Sequence, residues 1–196
     1  MNTGSKLSAV LSCVLFSALL GSRASLADTP SPGEPGVWQK HEYSFTFLGF
    51  TSTYSCDGLA DKLQLLLIAS GARPDSRAHA GACPSEFGRP DKLAHADLTF
   101  YTLAPRLTAT AAGAPPINGI WQPVSLTDRS PRELGTGDCE LVDQFRTTVL
   151  PMFTTRNIDN RTTCVPHQIS GSVINLKFES FTAPPGRPRT AQQHGS

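Results

Sequence analysis

The sequence predicts an α+β fold: a duplicated β-α-β unit forming a ferredoxin-like, four-stranded antiparallel sheet with two helices on one face and two disulfides. Three observations lead there. Short stretches recur in the same order in two halves of the chain, the middle of each repeat carries a helical apolar period, and the repeat ends alternate with a period of two. Gly36-Val37-Trp38-Gln39 recurs as Gly119-Ile120-Trp121-Gln122, and Cys56-Asp57 recurs as Cys139-Glu140. Asp97-Leu98-Thr99-Phe100 is echoed by Asn175-Leu176-Lys177-Phe178. The two tryptophans of the chain therefore occupy equivalent places.

Residues 1–27 read as a secretory signal peptide. Lys6 precedes an apolar run from Leu7 to Leu20, and the small residues of Ser25-Leu26-Ala27 suit cleavage after Ala27. The run is too short for a membrane span, which needs about 20 apolar residues. Residues 28–36, rich in Pro and Gly, are expected to be a disordered linker. Residues 37–182 form the expected single duplicated domain, with repeats 37–104 and 120–182, and residues 183–196 a disordered tail.

Within the first repeat, Tyr43, Phe45 and Phe47 alternate with Ser44, Thr46 and Leu48, a strand with one buried face. From Asp57 to Ser70, Leu59, Leu63, Leu66 and Leu67 share one face of a helix, and Gly71 is placed to stop it. Leu98 to Leu103 is the next strand. Ile120 to Leu126 opens the second repeat, with Pro123 arguing for a sheet edge. Asp138 is positioned to cap a helix carrying Val142, Phe145, Val149 and Phe153, which Pro151 ends or kinks. Ile174, Leu176 and Phe178 alternate with Asn175, Lys177 and Glu179 in the last strand. Segments 73–91 and 154–166 carry no clear period and read as an extra hairpin or as disulfide-tied loops.

Of five cysteines, Cys13 lies in the leader, leaving Cys56, Cys83, Cys139 and Cys164. An even number in an exported chain reads as two disulfides, and a duplicated unit most simply closes its own bond. The expected pairs are Cys56–Cys83 and Cys139–Cys164, each contributing roughly 3 kcal/mol on the chain-entropy model.

With 17 Lys+Arg against 16 Asp+Glu, the chain lacks the basic excess of a protein that holds nucleic acid by bulk charge. Its arginine-over-lysine bias suits a GC-rich genome, hence a bacterial periplasm or medium. Thiol catalysis is disfavoured, since neither Cys56 nor Cys139 has a Cys-x-x-Cys partner. His79 near Cys83, His167 near Cys164 and His95 have ligand-like spacing, but oxidation consumes the sulfurs, so no metal and no cofactor are expected. No Gly-x-Ser-x-Gly or His-Glu-x-x-His motif occurs, and Glu86, Asp91 and Asp97 are unexceptional carboxylates. Gly135-Thr136-Gly137 lacks the Lys-Ser/Thr of a phosphate loop. No catalytic residue is therefore assigned.

The candidate binding surface is the outward sheet face, with Thr99, Tyr101, Asn175, Lys177 and Glu179. Arg73 and Arg156 are a candidate anion site. The expected function is an exported, disulfide-stabilised, non-enzymatic binding or interaction module of the cell envelope, taking a protein or small ligand and no nucleic acid. The alternatives are a small secreted enzyme (a hydrolase or a thiol oxidoreductase) and a metal-binding protein.

Overall fold

A computed structural model describes residues 33–83, 89–106 and 115–185. The expected signal peptide, most of the linker and residues 186–196 of the tail lie outside the described residues. The elements follow as β1 (Glu34–Leu48), α1 (Cys56–Ala69), β2 (Arg77–Ala80), β3 (Leu93–Pro105), β4 (Ile117–Thr127), α2 (Cys139–Thr148), β5 (Thr155–Asn160) and β6 (Asn175–Thr182). All the strands join one antiparallel sheet in the order β2-β3-β1-β4-β6-β5.

Among the described residues the sheet thus has six strands, not four, and its order is not ferredoxin-like. The two additional strands, β2 and β5, arise from the segments that showed no period. Each lies at a sheet edge with one neighbour, and its residues are largely exposed, so neither needs apolar alternation. A ferredoxin-like sheet interleaves the strands of its two halves. Here β1 pairs directly with β3 and β4 with β6, so each half keeps its own strands together.

β1 begins at Glu34, inside the stretch read as linker, because Glu34, Pro35 and Gly36 pair with β4. That junction is short and its register symmetric: Gly36 faces Ile117, Pro35 faces Asn118 and Glu34 faces Gly119. β4 is therefore not a sheet edge, contrary to the expectation from Pro123. The proline fits because the β1 pairing ends at Gly119, leaving β4 at Pro123 paired only with β6.

Helix α1 starts where Ser55 accepts the backbone N–H of Gly58. Leu59, Leu63, Leu66 and Leu67 are all buried, each contributing about 2 kcal/mol of apolar transfer. The helix closes with Gly71 at φ 96°, its N–H bonding to Ile68 O while Ala72 N–H reaches Leu67 O, the reciprocal pair of a Schellman cap. α2 buries Cys139, Leu141, Val142 and Phe145. After it Leu150–Met152 makes a 3-10 turn containing Pro151 and delivers Phe153 onto Phe100, ring centroids 5.6 Å apart.

Both helices share one core with Phe45, Phe47, Leu98, Phe100, Leu126, Leu176 and Phe178, so they cover the same sheet face. The disulfides are Cys56–Cys83 and Cys139–Cys164, with Cα atoms 6.0 and 5.6 Å apart. Among the described residues no helix is long and apolar enough to cross a membrane.

Buried Leu103 and Phe181 stand outside that core, on the opposite side of the sheet. They lie over the β1–β4 junction. A Cβ on Gly36 would come within 2.8 Å of Phe181 and 2.9 Å of Leu103, and one on Gly119 would sit 2.2 Å from the Phe181 ring. Gly119→Ala is therefore expected to lower the unfolding free energy by about 1–3 kcal/mol through overpacking. Gly135→Ala, where an added Cβ meets nothing within 4 Å, should change it by less than about 0.5 kcal/mol. Denaturant titration of the two variants separates these outcomes, and equal stabilities would contradict the packing account.

Candidate binding face

Strand register decides what the uncovered face displays. Leu98 and Phe100 of β3, and Leu176 and Phe178 of β6, point into the helix-side core. Their neighbours Thr99, Tyr101, Asn175, Lys177 and Glu179 therefore point the other way. Across β1 the same face carries Lys40 opposite Tyr101, Glu42 opposite Thr99, Ser44 opposite Asp97 and Thr46 opposite His95. The Ser44 hydroxyl donates to Asp97 Oδ1 at 2.7 Å, and Thr46 Oγ1 lies 3.0 Å from His95 Nδ1. A shallow concavity of about 290 Å³ is lined by Glu42, Ser44, Asp97 and Thr99, with Tyr43 and Leu98 beside them.

The two arginines flank the apolar centre of this face. Arg73 lies 3.6 Å from the Tyr101 ring centroid and 5.7 Å from that of Trp38, while Arg156 lies 4.2 Å from that of Trp121. Trp121 in turn packs on Phe181 at 5.3 Å. Each guanidinium already has a carboxylate: Arg73 donates to both oxygens of Asp75, and Arg156 to Glu179. The arginine beside each carboxyl holds Asp75 and Glu179 below their usual range. A free anion would have to displace these internal partners, which weighs against the anion-site reading of Arg73 and Arg156. Their cation–π contacts instead fix the rims of the face.

The histidines with ligand-like spacing do not converge. His79 faces Asp97 across β2 and β3, His95 contacts Thr46, and His167 lies in a loop against Phe50. Cys83 and Cys164 are disulfide-bonded. Among the described residues no group of three or more His, Cys, Asp or Glu is assembled as a metal site. Glu86 lies outside the described residues. Gly137 O accepts from Ser52 Oγ, tying the Gly135-Thr136-Gly137 turn to the loop after β1.

A buried polar cluster escaped the sequence reading. Asp138 stands before α2, yet its side chain does not cap that helix. It accepts the Tyr54 hydroxyl at 2.5 Å, Lys62 Nζ at 2.8 Å and Gly135 N–H at 2.8 Å. Burial, with the Asp138 carboxylate next, pushes the Tyr54 hydroxyl far above its usual range. Glu140 accepts the backbone N–H groups of Phe50, Thr51 and Ser52, and Gln144 bonds both N–H and C=O of Leu48. The only signal in the sequence was the acidic pair at the helix start. These groups hold the loop after β1 against α2.

His41 is a half-buried ionisable group on the helix side of β1. It stacks on Phe100 at 5.0 Å, and its Nε2 lies 2.8 Å from Thr102 Oγ1. Thr102 spends its hydroxyl proton on Met152 O, so it accepts from His41, which fixes the Nε2–H tautomer. Burial lowers the His41 pKa below its usual 6.5.

Fold and site define a class: a two-disulfide α+β domain with one sheet face covered by helices and the other, among the described residues, open. Comparison with family models, curated proteins and solved structures finds no match to this chain.

Two outcomes follow from the buried groups. Asp138→Ala strands the Tyr54 hydroxyl and Lys62 and should cost about 3 kcal/mol in denaturant unfolding, against about 1 for Tyr54→Phe. Equal losses would mean that Asp138 does not organise the cluster. His41 folds in its neutral form with a depressed pKa, so its contribution is complete above pH 6.5. That contribution is lost as pH falls through the folded-state pKa, because the unfolded chain then binds the extra proton. Unfolding free energy measured from pH 8 to 5 should decline on the acid side, and His41→Gln should flatten that decline. An unchanged slope in the variant would remove His41 as the cause.

Proposed function

We propose that this chain is an exported, non-enzymatic binding module of the cell envelope, whose working surface is the open face of the sheet. The observation that carries the reading is the register. It gathers Thr99, Tyr101, Asn175, Lys177 and Glu179 on the side without helices, together with Lys40, Glu42, Ser44 and Asp97. A broad face with a shallow concavity suits a protein or an extended polar ligand better than a small molecule needing enclosure. The two disulfides are consistent with an extracellular or periplasmic location. The signal peptide over residues 1–27, and its removal, belong to the same proposal.

We also infer that the domain arose by duplication. Both halves run strand, helix, edge strand, strand, and both place the last strand between the other two. In both, a cysteine opens the helix, and Gly36-Val37-Trp38 and Gly119-Ile120-Trp121 meet about the Pro35–Asn118 pair. A duplicated unit joined this way extends one open face across both halves, which a single half is too narrow to provide.

The test is site-specific photo-crosslinking in the producing cells. A photoreactive side chain at Thr99 or Lys177 should give discrete adducts with a partner, whereas one at exposed Asp61 on α1 should give none. Adducts confined to Asp61, or the same adducts from all three positions, would contradict a working surface on the sheet.

A further inference from the structure

The two disulfides look alike in sequence, each beginning at a buried cysteine in the first turn of a helix, so the helix end does not distinguish them. Their surroundings do. The backbone N–H of His95, in β3, points at Cys56 Sγ with a nitrogen–sulfur distance of 3.5 Å. Cys139 Sγ instead lies 3.8 Å from the carbonyl oxygen of Val173. A disulfide sulfur has no proton to donate, so that contact sets one lone pair against another. Charge developing on Cys56 is met by a donor, and charge developing on Cys139 by an acceptor.

Access differs in the same sense. Cys83 is exposed. Cys164 is half-buried against the core and lines a cleft with Glu140 and Asp143, whose carboxylates repel an incoming thiolate.

We propose that Cys56–Cys83 is a reducible disulfide, opened selectively by a dithiol reductant of the thioredoxin class, while Cys139–Cys164 stays closed as a structural bond. The reductant's thiolate attacks the exposed Cys83 Sγ. A sulfur–sulfur bond forms between them, the Cys83–Cys56 bond breaks, and the electron pair leaves on Cys56 as a thiolate held by the His95 N–H. The reductant's second thiol loses its proton to solvent and attacks the reductant sulfur of the mixed disulfide. Cys83 then departs as a thiolate and takes up a proton. The disulfide has gained two electrons, and the reductant has become a disulfide.

Opening this bond also unties β2. That short edge strand is held otherwise by its pairing with β3 at Thr99, Leu98, Asp97 and Ala96, and by Gln64, which bonds Ser76 O and Ala78 N–H. Releasing β2 would uncover the rim of the open face beside Asp97 and Thr99. Opening Cys56–Cys83 thus removes the covalent tie beside β2 and leaves its hydrogen bonds to hold that edge of the sheet.

The experiment uses the native oxidised protein, reduced thioredoxin as the dithiol, timed alkylation and peptide mapping. Label should enter Cys56 and Cys83 on the order of tenfold faster than Cys139 and Cys164, since a better leaving thiolate and an open target sulfur both raise the rate. Thioredoxin lacking its resolving cysteine should be trapped on Cys83. Equal rates, earlier opening of Cys139–Cys164, or trapping on any other cysteine would overturn the proposal. So would a native protein in which neither bond opens while the urea-unfolded chain is fully reduced.

Discussion

Among the described residues, three strand pairs join the two halves of the sheet, Glu34–Gly119, Pro35–Asn118 and Gly36–Ile117. Everything else about the open face depends on that junction. Inside each half the ladders are long, so the halves are stiff in themselves, with β1 paired to β3 along most of its length. The junction could not hold two such ladders by backbone bonds alone. Phe181 and Leu103 stack over its outer side, and they reach it because Gly36 and Gly119 offer no Cβ there. The glycines thus convert a weak strand contact into a packed one.

On the other side of the sheet, the same union is made by the helices. Both feed one apolar core, and the polar cluster around α2 adds directional bonds to it. Asp138 ties Tyr54 and Lys62 from the first half to the Gly135 turn of the second. Glu140 and Gln144 bind the backbone that leaves β1. These polar groups are buried or half-buried, and their mutual satisfaction avoids the cost of unpaired donors and acceptors. One face is consequently closed by apolar contacts and polar clamps. The other stays free to carry Lys40, Glu42, Ser44, Asp97 and Thr99, and β2, which borders it at Thr99, is fastened by the exposed disulfide.

How much was legible in the sequence varied with the kind of signal. The apolar faces of α1 and α2 and the alternation in β1 and β6 were readable, because burial against a single core imposes a period on the chain. The disulfide partners followed from the matched cysteines. The edge strands left no trace, since Arg77–Ala80 and Thr155–Asn160 bury too little to be patterned. Strand order was also hidden: nothing in the alternation of Phe45 or Leu176 records which strand lies alongside. Tyr101 and Lys177 were assigned to an outward face by period alone. The partners of Asp138 and the arrangement of Arg73 over Tyr101 and Trp38 depend on contacts between distant segments, which no local spacing encodes. Pro123 pointed to an edge and met one only locally, where the short junction ends.

Native-state hydrogen exchange tests most directly whether the two halves form one cooperative sheet. In a protein joined at the glycine junction and through a shared core, the slowest amides of β3, Leu98 and Phe100, and of β6, Leu176 and Phe178, open only by global unfolding. They should therefore report the same free energy, equal to that from denaturant titration. Exchange of one set at a distinctly lower free energy, with the other still protected, would mean that the halves open independently and that the open face is not a single surface.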